Sequence, residues 1–238
     1  MKSERVYGDI SSIGDNVCPD QPHIDLVWLD RQKVQSQLGY ELTKRMMDLV
    51  LAFFGMLFIL PIMLWIAYHV HKEEPDAPII FAQKRIGRNG KEFTMYKFRS
   101  MCTDAEKQLT DLLCKNEVNG AMFKIKEDPR ITEFGKFIRR TSLDELPQLI
   151  NVIKGDMSLI GPRPPLQREV AEYTEYDHQR LLVKPGCSGT WQVSGRSDVH
   201  FEEMVRMDIE YIEQRCIGCD IELIIKTVRV MLKMEGAY

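Results

Sequence analysis

Arg139–Pro165 reads RRTSLDELPQLINVIKGDMSLIGPRPP, and the rest of the chain is organised around it. Two adjacent acids, Asp144 and Glu145, follow a pair of arginines and the hydroxyl pair Thr141 and Ser142. Pro147 has no N–H to donate and its ring clashes one turn back, so it is tolerated only in the first turn of a helix. The apolar positions Leu149, Ile150, Val152 and Ile153 therefore predict a helix beginning near Asp144, with both carboxylates at its N-terminus. The dipole and free N–H groups there stabilise anions, and the same corner would hold a phosphate. Arg163, between Pro162 and Pro164, sits on stiff backbone that presents its guanidinium. Acids at a helix start also have a plain structural use: Asp144 or Ser142 as N-cap and Glu145 closing a capping box. The company weighs against that reading alone. Arg139, Arg140 and Arg163 lie close by in sequence, and acids beside arginines suit a metal and a diphosphate.

Upstream, Leu49–Tyr68 is an uninterrupted apolar run, LVLAFFGMLFILPIMLWIAY, about the length a helix needs to cross a bilayer. Pro61 lies inside it and predicts a break or kink. Lys44 and Arg45 flank one end and His69, His71 and Lys72 the other, which favours keeping both ends on the cytoplasmic side. Met1–Gln37 is polar and broken by Gly8, Gly14, Pro19 and Pro22, as in a tail or loosely docked extension; no apolar core follows its charges, so it is not a signal peptide.

Between these stretches, IIFAQKRI and KEFTMYKFR flank Gly87-Arg88-Asn89-Gly90, which predicts a β-hairpin with Lys97 and Arg99 on one strand face. Met101–Lys115 has the leucine spacing of an amphipathic helix, and Asp128-Pro129-Arg130 reads as a turn. Gln167–Leu182 reads as helical. Pro185–Ser197 reads as a glycine-rich loop carrying Trp191, Gln192 and Arg196, suited to a lid or an inert surface. Phe201–Gln214 and Cys219–Lys233 read as helices, the second basic and amphipathic enough for a headgroup plane or for core packing.

The net charge of −3 over 238 residues gives no pull toward nucleic acid. Six scattered cysteines suggest reduced thiols rather than a disulfide framework. Cys216-Ile-Gly-Cys219 has the spacing of a redox or zinc motif but no second pair to complete a zinc site, so it reads as incidental.

The motifs KRMMD (Lys44–Asp48), YKFRSM (Tyr96–Met101), DPRIT (Asp128–Thr132), TSLDELPQLINVIKGDMSLIGPRP (Thr141–Pro164) and KPG…SGTWQVSGR (Lys184–Arg196) run from about Leu42 to the C-terminus. In them the chain resembles the bacterial sugar transferases, the small monotopic phosphoglycosyl transferases that begin capsule, O-antigen and glycoprotein glycan assembly. The resemblance implies an α+β fold: a mostly helical cytoplasmic domain with a small β-hairpin, attached to an N-terminal re-entrant membrane helix. Its boundaries would be a polar extension over 1–41, a helix-break-helix over 42–72 turning near Pro61, and a catalytic domain over 73–238.

The implied reaction moves a phosphosugar from a UDP-sugar to polyprenol (undecaprenyl) phosphate at the cytoplasmic face of the inner membrane, releasing UMP. Asp144 would be the nucleophile of a covalent intermediate. Glu145, with Asp144, would hold Mg²⁺. Arg163 would meet the diphosphate, with Lys97, Arg99, Arg130, Arg139 and Arg196 as further phosphate partners. Two alternatives stand beside this: a single-displacement transferase or hydrolase with Asp144 as metal ligand only, and a catalytically silent membrane scaffold. Membrane lipid is an implied partner and nucleic acid is not. The sugar and the assembly state are open, a homodimer included.

Overall fold

The Asn89-Gly90 pair turns the chain where expected, with φ of 57° and 76°. These left-handed values are cheap for asparagine and glycine and match the twist of the flanking strands. In the computed structural model, which describes residues 26–105, 107–108, 128–194 and 200–233, β1 (Ile80–Ile86) pairs antiparallel with β2 (Glu92–Phe98) on either side of that turn. Among the described residues the remaining named elements are helical apart from a short parallel pair, β3 (Ser158–Ile160) and β4 (Gly186–Ser188). The helices are α1 (Arg31–Ser36), α2 (Leu38–Glu73), α3 (Glu133–Arg140), α4 (Gln148–Lys154), α5 (Gln167–Val170), α6 (Glu175–His178), α7 (Thr190–Ser194), α8 (Phe201–Gln214) and α9 (Ile217–Lys233). The α+β class and the hairpin are as read from the sequence.

Helix α2 departs from expectation. Leu38–Glu73 is one helix with Pro61 inside it, so no break in helical structure separates two arms. Proline removes one N–H and frees one carbonyl, that of Leu57. Both residues lie on the exposed side, where the ring displaces no packing partner. Ala52 packs among Phe93, Met95, Val152 and Met157, while Ile66 and Val70 pack among Phe98 and Ile138. Fourteen helical residues rise roughly 21 Å, and five strand residues roughly 17 Å. The helix therefore lies alongside β2, with one face on the protein over its apolar length. The opposite face bears Phe53, Phe54, Leu57, Phe58, Leu64 and Tyr68, all exposed. Only 11% of the most apolar window is buried, which excludes a core helix of a soluble protein.

Helix α2 also packs against the chain beyond residue 73. At its C-terminal end Trp65 meets Phe134 and Phe137 edge-on, His69 stacks on Phe134 at 5.0 Å, and Glu73 accepts the Phe134 N–H, capping α3. Toward its start, Arg45 donates to the carbonyls of Val152 and Ile153 at the last turn of α4, and Asp48 accepts the Leu159 N–H. The described part of the N-terminal extension is docked as well. Leu29 donates its N–H to the Gln179 side chain (2.6 Å), and Val34 is buried with Ile160, Val183, Tyr211, Ile212 and Leu223. An apolar residue every few positions was enough to anchor a stretch whose composition looked like a tail.

Two further expectations change. Gly186–Ser188 is a strand rather than the start of a lid, because Gly186 lies so close to Gly161 that a Cβ there would sit 2.1 Å from the Gly161 nitrogen. Gln167–Leu182 is divided into α5, α6 and a 3₁₀ turn. Most of the helix read over Met101–Lys115 lies outside the described residues.

Candidate active site

The acid pair does not open α4 directly. Leu143–Glu145 is a separate 3₁₀ turn, and α4 begins after Pro147. Ser142, immediately before it, has φ 56°, a left-handed conformation that is strained for a serine and that ends α3. Thr141 ties the same corner down by donating its hydroxyl to the Phe137 carbonyl (2.9 Å). The turn is thus held rigidly, by strain on one side and by proline on the other.

Asp144 is buried, and among the described residues no side chain donates a hydrogen bond to it. Burial pushes its carboxyl up to about 6; Glu145 beside it adds to the rise, while Lys97 and Arg139 oppose it. Lys97 reaches across from β2 to Glu145, with Nζ to Oε1 at 2.5 Å. Asn151 of α4 fixes that strand against the site: its Oδ1 accepts the Tyr96 N–H (3.1 Å) and its Nδ2 donates to the Thr94 carbonyl (2.7 Å). One fully buried amide thereby satisfies the free edge of β2 and sets the register of Lys97 against the acids.

The Pro162–Pro165 backbone is pinned from three sides. Gly186 donates to the Pro162 carbonyl, Arg85 Nη1 to the Pro164 carbonyl, and Ile86 to the Pro165 carbonyl. Arg163 itself is about one-third exposed, with Glu169 at 3.6 Å, too long for a strong pair. Burial pushes the Arg85 guanidinium down to about 10, and the charge of Arg163 pushes the same way, while Glu169 and Glu145 oppose it. Arg85 and Arg163 are therefore neighbours, and Arg85 also feels the charge of Glu145. Arg85 was not singled out in the sequence. Its signal would have been a charge on the inward side of an amphipathic strand, at a position where burial is costly.

The other predicted residues divide. Lys97 and Arg139 are brought to Asp144. Arg99 donates Nε to the Pro78 carbonyl (2.7 Å). Arg130 is buried and forms a two-pronged pair with Asp128; burial alone would raise the Asp128 carboxyl, and the guanidinium bonds more than reverse this. In DPRIT, Arg130 is thus held in a buried turn by Asp128. Arg196 lies outside the described residues. Asp144 and Glu145 are an oxygen donor pair of the kind Mg²⁺ takes together with substrate phosphates and water, so the residues present fit that ion.

Residues 39–234 match the family model for bacterial sugar transferases. The chain is 46% identical over 197 residues to the galactosyl transferase CpsE of Streptococcus agalactiae, covering 82% of this chain and 43% of that protein. It is 43% identical over 199 residues to the undecaprenyl-phosphate galactose phosphotransferase of Salmonella typhimurium, covering 82% and 41%. The UDP-galactose-lipid carrier transferase of Erwinia amylovora is also 43% identical over 199 residues, again with 82% and 41% covered. The chain thus spans less than half the length of these relatives. With a match through α2, the acid turn, the pinned arginine and both final helices, it belongs to the bacterial sugar transferase family.

Proposed function

We propose that this protein transfers a phosphosugar from a UDP-sugar to undecaprenyl phosphate at the cytoplasmic face of the bacterial inner membrane, giving undecaprenyl-diphospho-sugar and UMP. The observation that carries the reading is a buried carboxylate, Asp144, under the charges of Lys97 and Arg139, next to Glu145, whose charge reaches Arg85, on a body with an apolar helix along its flank. An anionic donor with a charged diphosphate needs those cations, and an acceptor with a long apolar tail needs that flank.

Asp144 attacks the phosphorus that bears the sugar. The bond from that phosphorus to the bridging oxygen breaks, and UMP leaves with the electron pair. An oxygen of undecaprenyl phosphate then attacks the same phosphorus and returns the carboxylate to Asp144. A carboxyl held near neutrality is ionised at cytoplasmic pH yet poorly solvated, as a nucleophile should be. Glu145, with Asp144 beside it, would hold Mg²⁺, which supplies neutralisation of the diphosphate charge. Arg163 grips the diphosphate through its fork, on backbone that cannot drift. Arg85 neighbours it and adds positive charge there.

Helix α2 keeps both ends on the cytoplasmic side. Basic residues flank both ends, and the helix stays on the globular body instead of leading away from it. Single cysteines at Ser36 and Glu73 should label only from the cytoplasm; labelling at Ser36 from the periplasm would establish a spanning helix.

The chemical test starts with radiolabelled UDP-galactose, since the relatives' names carry galactose. Label should appear on the protein before acceptor is added, and not on Asp144→Asn. Turnover without labelled protein would favour a single displacement with Asp144 only holding metal. No UMP release across a panel of UDP-sugars would favour the scaffold.

A further inference from the structure

The cysteines of Cys216-Ile-Gly-Cys219 have no part in the site above. They lie at the start of α9, where spacing of three residues puts both side chains on one face. Their sulfurs are 2.7 Å apart, and the Cys219 N–H donates to the Cys216 sulfur at 3.1 Å. Cys216 is exposed and Cys219 half-buried, and both are free thiols. The bond from the Cys219 thiol, then that from its backbone, holds the Cys216 thiol below its usual range. The same bond pushes Cys219 up. Cys187, by contrast, has its thiol pushed well up by burial.

The residues on either side of the pair are pinned. Arg215 donates to the Gln37 side chain (3.0 Å), to Glu41 (2.9 Å) and to the Val34 carbonyl (2.6 Å). Asp220, fully buried, accepts from Tyr40 (2.8 Å) and Tyr211 (2.6 Å) and pairs with Lys44 (2.9 Å). The segment carrying both sulfurs is therefore fixed at each end, and the two thiols are held within reach of each other. An accessible attacking thiol with a resolving thiol behind it is the arrangement that thiol–disulfide exchange requires.

We propose that Cys216 and Cys219 form a redox-active dithiol that exchanges with low-molecular-weight disulfides of the glutathione class and closes to an intramolecular disulfide. The Cys216 thiolate attacks one sulfur of the disulfide RSSR, breaking its S–S bond and expelling RS⁻, which takes up the proton that Cys216 lost. Cys219 gives up its proton and attacks the Cys216 sulfur of the mixed disulfide, expelling the second RS⁻ as RSH. Two protein thiols are oxidised, and one RSSR is reduced to two RSH.

The test uses the full chain in detergent micelles with glutathione disulfide, followed by acid quench, alkylation and peptide mass analysis. The peptide containing both cysteines should lose two hydrogen masses and carry no glutathione. Before oxidation, Cys216 should alkylate at neutral pH at least about tenfold faster than Cys219. Cys219→Ser should stop at a glutathione adduct on Cys216, and Cys216→Ser should leave Cys219 largely unmodified. The proposal is overturned if both thiols remain fully alkylatable after treatment. It is equally overturned if the purified chain holds zinc whose removal by a chelator releases both thiols. None of these readouts depends on the transferase reaction.

Discussion

Two buried aspartates show how the same residue serves opposite ends. Asp220 is fully buried and has Tyr40, Tyr211 and Lys44 around its two oxygens. Asp144 is nearly as buried, yet receives no side-chain hydrogen bond among the described residues, and its neighbour is another acid. Solvation lost by Asp220 is replaced by two tyrosine hydroxyl donors and the adjacent Lys44 charge, so it anchors α9 to the start of α2. Asp144 has no such set of side-chain donors among the described residues, which leaves its oxygens available to a phosphorus centre or a cation. A buried carboxylate without such side-chain donors, next to the left-handed Ser142, is the arrangement expected of a site held for chemistry rather than for stability.

The comparison breaks most sharply at Asp144. Asp144→Asn should lower turnover by about a thousandfold or more, since an amide is a poor nucleophile. The same variant should melt higher, by up to about 3 kcal/mol of stability at neutral pH, because a buried charge is removed. Activity and thermal melting measured on one preparation check both halves; a variant that loses activity and also melts lower would place Asp144 with the anchors.

Asp220→Ala should do the reverse. Removing one partner from a buried network typically costs about 3–5 kcal/mol, so folded yield and melting temperature should fall steeply. The fraction that folds should retain labelling at Asp144.

The charge state sharpens the contrast further. The folded carboxyl of Asp144 lies above its unfolded value, so it takes up a proton on folding as pH falls, and its destabilising effect fades below about pH 6. In the proposed mechanism only the ionised form attacks, so labelling should fall about tenfold per unit below that pH. Lys97 favours the ionised form; Lys97→Met should move this acid limb to higher pH, read from the pH profile of the label burst.

The smallest effect is expected at Pro61. Because α2 is already continuous there and Pro61 is exposed, Pro61→Ala should leave turnover within about twofold of wild type. A large loss in a well-folded variant would show that the proline bends the helix in a way activity needs.

What the amino-acid order determined by itself was local. Alternation and the Asn89-Gly90 turn specify the hairpin, and an apolar run without charges specifies a membrane-seeking helix. The density of acids and arginines in Arg139–Pro165 marked the site. These signals act over a few residues, where backbone preference and hydrophobic period decide. The structure alone decided matters that depend on what meets what. Lys97 and Arg139 were legible as phosphate candidates, but Arg130 spelled the same residue type and is locked to Asp128. Arg85 looked like an ordinary strand charge until the strand packed under Pro164. The docked turn at Val34, the strand at Gly186 and the unbroken helix at Pro61 likewise turn on contacts between distant residues. A side chain's charge is written in its identity, but its solvation and its partners are set only when the chain closes around it.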